Sequence, residues 1–253
     1  MPQNHSWDGT AREFSWLPGK IGLPVGGARR GRPFSFDGAE HGQKVSTQAK
    51  EPKPAAGRAT RLTILCRGAT AANQQTRFSS DVPLLPRERV RLRERARGLG
   101  RFDPVLHAPE RSAAETAAAF APDAASCPAL RDADYGRWNG RTVADVAEQS
   151  PEDLQRWMSD PSCAPHGGET FEAVQARAAA WLEQRHAKGG HTLAVTHAIV
   201  LKLLFLHVVG APLTSLWRID VEPLAMLSLT SDGRRWALRS FGAGLPGGAT
   251  ETG

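Results

Sequence analysis

Three cysteines in 253 residues, at positions 66, 127 and 163, are too few and too scattered for a disulfide framework or a zinc site. Nowhere do about 18 apolar residues run together, which argues against a membrane-spanning helix. The first 25 residues lack the apolar core of a secretory signal. These absences together lead to the expectation of a protein of the reducing cytoplasm. What is present is ordinary for a globular chain: 40% hydrophobic and 23% charged residues, which excludes wholesale disorder. The length suits one large domain or two small ones.

The net charge of +6 is unevenly spread. Residues 1–60 hold nine Lys/Arg against five acids, so +4 of the +6 lies there. That segment is rich in Gly, Pro, Arg, Lys and Gln and sustains no period of 2 or 3.6, so it reads as a non-globular extension. Phe14, Trp16, Phe34 and Phe36 are its apolar exceptions. Because the excess charge falls mainly in this extension, nucleic acid is not the expected partner. A helix over 87–97 carries six Arg, but at alternate positions that wrap charge around the helix, as a solvated face does.

From Arg61 to Gly242 strand and helix signals alternate. Strands are expected at Leu62–Cys66, Pro104–His107, His191–Thr196, Leu224–Thr230 and Arg235–Phe241. Helices are expected at Arg87–Arg97, Glu110–Phe120, Thr142–Glu148, Glu152–Met158, Thr170–His186 and His197–Val208. Strands separated by helices predict an α/β three-layer sandwich with a mainly parallel central sheet over 61–242, followed by a tail at 243–253.

In such a sheet, ligands collect at the carboxyl ends of the strands. Three segments stand there: Cys66-Arg67-Gly68-Ala69-Thr70 through Asn73; Ala108-Pro-Glu-Arg111 through Thr116-Ala117; and Val195-Thr196-His197. Each offers a cation or imidazole to an anion. Leu130-Arg-Asp132-Ala-Asp-Tyr-Gly136-Arg-Trp138-Asn-Gly140 and Gly167-Gly168-Glu169-Thr170 lie between the second and third.

Taken in order, these five elements resemble the histidine phosphatase superfamily, also called phosphoglycerate mutase-like. Its pattern is a strand followed by R-H-G-x-T-x-x-N, then S-x-x-x-R-A-x-x-T-A, L-x-E-x-x-x-G-x-W-x-G, G-G-E-[ST] and a strand ending V-x-H. The resemblance implies hydrolysis of small phosphate monoesters in the phosphatase branch, without a metal or other cofactor. The His of R-H-G becomes phosphorylated, Arg and His side chains hold the phosphoryl group, and a carboxylic acid protonates the leaving oxygen. By that resemblance His197 is the second histidine and Asp132 the acid, with Asp134 as its rival. Thr70, Asn73 and Arg111 belong to the phosphate site.

The pattern departs at its centre. Aligned on Gly68, Thr70 and Asn73, Arg67 stands where the family has its nucleophilic His, and Cys66 where it has its first phosphate-binding Arg. A slip by one residue puts Arg67 at that Arg and Gly68 at the His, so neither register supplies the histidine. Arg has no free lone pair at neutral pH and cannot be phosphorylated as imidazole is. Three readings stay open: a pseudo-phosphatase that binds an anion, a damaged or misread sequence, and an enzyme with Cys66 or His197 as substitute nucleophile. In the last, a lowered Cys66 thiol pKa beside Arg67 is the expected device. The expected ligand is phosphate or a small phosphorylated molecule.

Overall fold

The computed structural model describes residues 59–78 and 81–244. Residues 1–58 of the expected extension and most of the expected C-terminal tail lie outside those residues, and Thr60, expected in the extension, opens the first strand instead. In chain order the elements are β1 (Thr60–Cys66), α1 (Ala71–Gln74), α2 (Pro86–Ala96), β2 (Val105–His107), α3 (Arg111–Ala117), β3 (Ala125–Ser126), α4 (Val143–Gln149), α5 (Pro151–Ser159), α6 (Phe171–Glu183), β4 (His191–Thr196), α7 (Ala198–Val209), β5 (Ala225–Ser231) and β6 (Trp236–Gly244). The sheet order is β3-β2-β4-β1-β5-β6. The first four strands run parallel, and β5 and β6 close the sheet as an antiparallel hairpin. This is the three-layer α/β sandwich with a mostly parallel sheet.

Burial follows strand position. The central strands β1 and β4 are covered on both faces, so they read as nearly unbroken apolar runs. β5 alternates buried and half-buried residues, as a strand with one covered face does. Helix α7 enters directly from β4 and buries Val200, Leu201, Leu203, Leu204 and Leu206, each contributing about 1.5–3 kcal/mol. Gly210, with φ at 66°, ends it in the left-handed conformation that a Cβ disfavours. Thr170 caps α6 by accepting from the Ala173 N–H, which fixes where Phe171, Val174, Ala178 and Trp181 begin to pack.

Sequence patterning missed β3, which is two residues long and exposed, and α1, a single capped turn. At two and four residues neither gives a periodic signal. Trp138 and Trp157 are buried in an aromatic cluster with Phe78, Tyr135 and His166. No helix among the described residues is long and apolar enough to cross a membrane.

Candidate active site

Parallel pairing of β1 with β4 sets Cys66 opposite Thr196. The next residue on each strand, Arg67 and His197, therefore leaves the sheet at the same edge. The Arg67 N–H donates to Thr196 O at 2.8 Å and holds the two exits together. β2 ends beside β4, with His107 opposite Val195, and delivers Glu110 and α3 to the same edge.

The loop after β1 is tightly held. The Gly68 N–H donates to Thr116 Oγ1 at 3.0 Å, and that hydroxyl donates to Ser112 O at 2.7 Å. A Cβ on Gly68 would lie 2.9 Å from Glu88 Cγ, so α2 packs this close only against glycine. Asn73 Oδ1 accepts from the Thr70 N–H at 3.1 Å, from Thr70 Oγ1 at 2.9 Å and from Arg67 Nη1 at 2.5 Å. Nη1 of Arg67 also donates to Gly68 O at 3.0 Å. Thr70 and Asn73 thus form a capping box whose second product is a fixed Arg67 guanidinium.

His197 is buried between two carboxylates. Its Nε2 lies 3.0 Å from Glu110 Oε2 and its Nδ1 lies 3.2 Å from Asp132 Oδ2. Burial by itself opposes protonation of the imidazole, but the charge of Asp132 and the bonds to both carboxylates outweigh it, and the pKa is pushed up to about 9. Burial likewise opposes ionisation of Glu110, but the bond and charge of His197 prevail and hold its pKa below the usual carboxylate value. At neutral pH the trio is therefore an imidazolium between two carboxylates.

The second carboxylate is positioned from below. Asp132 N–H donates to Glu110 Oε1 at 3.0 Å, which couples the two acids. Arg177 donates to Ala129 O at 3.0 Å and to Asp132 O at 2.8 Å. Glu169 holds Arg177 at 2.9 Å and Arg131 at 2.6 Å, so it anchors this loop as well as preceding a helix. Asp134, the rival acid, accepts from the Gly136 N–H and from Asn139 Nδ2 and so shapes the turn.

The structure thus brings Arg67, His197, Asp132, Thr70 and Asn73 to one edge. Two expected site residues do not join them. Cys66 turns into the hydrophobic core, because the last residue of a strand covered on both faces has no solvent side. Burial pushes its thiol up to about 11 against the opposing field of Arg67, the reverse of the expected lowering. Arg111 points outward: its side chain is 58% exposed and its Nε binds Glu115 Oε1 at 2.9 Å. Counting back from Thr116-Ala117 through the S-x-x-x-R-A-x-x-T-A spacing reaches Ser112 rather than Arg111. Ser112 is the inward residue, 2% exposed, because one residue along a helix turns the side chain by about 100°. Sequence reasoning also missed Glu110, whose only signal was a carboxylate just before α3.

A family model described as the histidine phosphatase superfamily (branch 1) matches residues 62–244. The bifunctional protein Rv2228c of Mycobacterium tuberculosis is 32% identical over 186 residues, 69% of this chain and 51% of that protein. The chain therefore spans about half the length of the curated relatives that it matches at this level. Among solved structures, mycobacterial glucosyl-3-phosphoglycerate phosphatase Rv2419c in complex with VO3 aligns with a TM-score of 0.64 at 23% identity, over 72% of this chain and 98% of that one. A putative alpha-ribazole-5'-P phosphatase from Escherichia coli aligns with a TM-score of 0.64 at 26% identity, over 74% and 97%.

Proposed function

Since this chain belongs to branch 1 of the histidine phosphatase superfamily, we propose that its domain keeps the family's pocket as a binding site for one anionic group, phosphate or a small phosphate monoester, and does not hydrolyse it. The observation that carries this reading is His197 locked as an imidazolium between Glu110 and Asp132, directly beside Arg67. An imidazolium has no lone pair to attack phosphorus, and neither has a guanidinium. Cys66 is buried with its thiol held protonated, so it supplies no thiolate. Each substitute nucleophile is thereby removed on its own physical ground.

Charge balance supports the same reading. Arg67 and His197 contribute two positive charges and Glu110 and Asp132 two negative ones, so the pocket is neutral as a group. Ser112 adds no cation where the family pattern has Arg. A neutral group stabilises the spread negative charge of phosphoryl transfer far less than a cationic one. The two solved structures to which the fold is similar are phosphatases, one of them putative, which makes a phosphate group the natural anion to test.

The test is p-nitrophenyl phosphate turnover by the full chain, with phosphate binding measured by calorimetry. The expected result is turnover no faster than buffer, with phosphate binding that weakens in Arg67→Ala. Ser112→Arg combined with Arg67→His is expected to gain a trappable phosphoenzyme. Turnover by the natural chain that disappears in His197→Ala would overturn the reading.

A further inference from the structure

Away from this pocket, an open cleft of about 370 Å3 lies between α2 and α3, with Arg89, Arg93, Arg111 and Glu115 around Leu92 and Ala118. Glu115 organises it. Its carboxylate accepts from Arg89 Nε at 3.1 Å and Nη2 at 3.0 Å, from Arg111 Nε at 2.9 Å and from the Leu84 N–H at 2.9 Å. One carboxylate thus orients two guanidiniums and leaves the cleft cationic. The arginine that sequence reasoning assigned to the central pocket serves this outer cleft.

Helix α2, with Arg97 just past its end, extends the charge. Arg87, Arg91, Arg93 and Arg97 are exposed, and none forms an ion pair among the described residues. Arg87 and Arg91 are one turn apart, as are Arg89 and Arg93, and Arg93 and Arg97. Like charges at that spacing destabilise a helix, and α2 has little burial to offset them beyond Leu92 and Glu88. α2 holds five Arg and two Glu, an excess of +3. Residues 61–244 sum to +3, so this one helix accounts for as much positive charge as the whole excess of that stretch. An alternating pattern looks dispersed in sequence, but in the fold one flank of α2 meets Arg111 across a cleft.

We infer that the α2–α3 surface binds single-stranded nucleic acid, with successive phosphates along the α2 arginines and one nucleotide seated in the cleft over Leu92 and Ala118. The basic residues of α2 are all Arg, whose planar fork matches phosphate and whose face stacks on bases. An 11-residue helix is about 16 Å long, enough for a few successive phosphates. A single strand, unlike a duplex, presents an unpaired base to a cleft of this size. This site is separate from the central pocket, and its test does not depend on what that pocket binds.

The experiment is fluorescence anisotropy of a labelled oligo-dT with the full chain over a series of salt concentrations. It is repeated with a variant carrying Arg87→Gln, Arg91→Gln, Arg93→Gln and Arg97→Gln. Comparison within the full chain cancels the contribution of the basic residues in 1–60. Four phosphate contacts on a single strand correspond to a log–log salt slope of about 3, so the variant's slope is expected to be shallower by about that amount. Its affinity at low salt is expected to fall at least about tenfold. Arg111→Ala alone is expected to weaken binding several-fold at unchanged melting temperature. Absence of oligo-dT binding, a slope unchanged in the quadruple variant, or tighter binding of poly-glutamate or duplex DNA than of oligo-dT would each overturn the inference.

Discussion

Glu110 Oε2 sits 3.0 Å from His197 Nε2, on the side of the imidazole opposite Asp132. The pair joins residues 87 positions apart and couples the start of α3 to the exit of β4. Together with Asp132, which contributes more, it keeps His197 charged, and the consequences can be measured.

His197 is expected to titrate near pH 9 in the folded protein, against about 6.5 when unfolded. A folded pKa above the unfolded one means that the charged form is stabilised by folding. The contribution is complete below about pH 6.5 and is lost as pH rises through 9. The gap corresponds to roughly 3 kcal/mol as an upper figure. NMR titration of the imidazole checks the pKa. Urea unfolding at pH 6 and above pH 9, natural chain beside His197→Gln, checks the loss. An imidazole that titrates near 6.5 in the folded protein is the contrary result.

Removing the cation is expected to cost more than removing one acid. His197→Ala leaves two half-buried carboxylates facing each other, and a loss of roughly 3 kcal/mol is expected, toward the low end for a broken buried pair. Glu110→Gln keeps an acceptor for the Asp132 N–H and leaves Asp132 to balance His197, so roughly 1–3 kcal/mol is expected. Chemical denaturation of both variants gives the ranking, and an equal or reversed order would refute the account of the trio.

Cys66 is expected to resist thiol reagents in the native protein. It is 3% exposed with its pKa near 11, whereas Cys127 and Cys163 are partly exposed. Labelling at neutral pH followed by mass spectrometry should modify Cys127 and Cys163 first and Cys66 only after denaturation. Rapid native labelling of Cys66 would place it outside the core.

The turn that presents Asp132 depends on two glycines. Gly136 has φ at 47°, and a Cβ there would lie 2.2 Å from His166 O. A Cβ on Gly168 would lie 2.0 Å from Asp134 O. Gly168→Ala must move backbone rather than a flexible side chain, so a loss of roughly 2–4 kcal/mol is expected in thermal or urea unfolding. A neutral effect would mean that the 132–136 and 166–168 segments separate freely.

The arrangement of strands and helices was legible because it depends on local apolar runs. His191–Thr196 matches β4 residue for residue, and the antiparallel closing hairpin stands where its turn signal stood. Arg67 and His197 were legible as strand-end residues for the same reason, and the Thr70–Asn73 pair as a local loop motif.

Orientation and long-range contact were not legible. The spacing that distinguishes Ser112 from Arg111 is one residue, yet it decides between a buried wall and an exposed cleft, because a helix turns about 100° per residue. Cys66 lies next to Arg67 in sequence, but a strand covered on both faces sends its side chain into the core. Glu110 reaches His197 only because β2 packs beside β4. Local apolar runs are enough to place these residues at the carboxyl edge of the sheet. Which of their charges meet is set by packing, because an ion pair depends on distance through space, and no local pattern carries a contact between residues 87 positions apart.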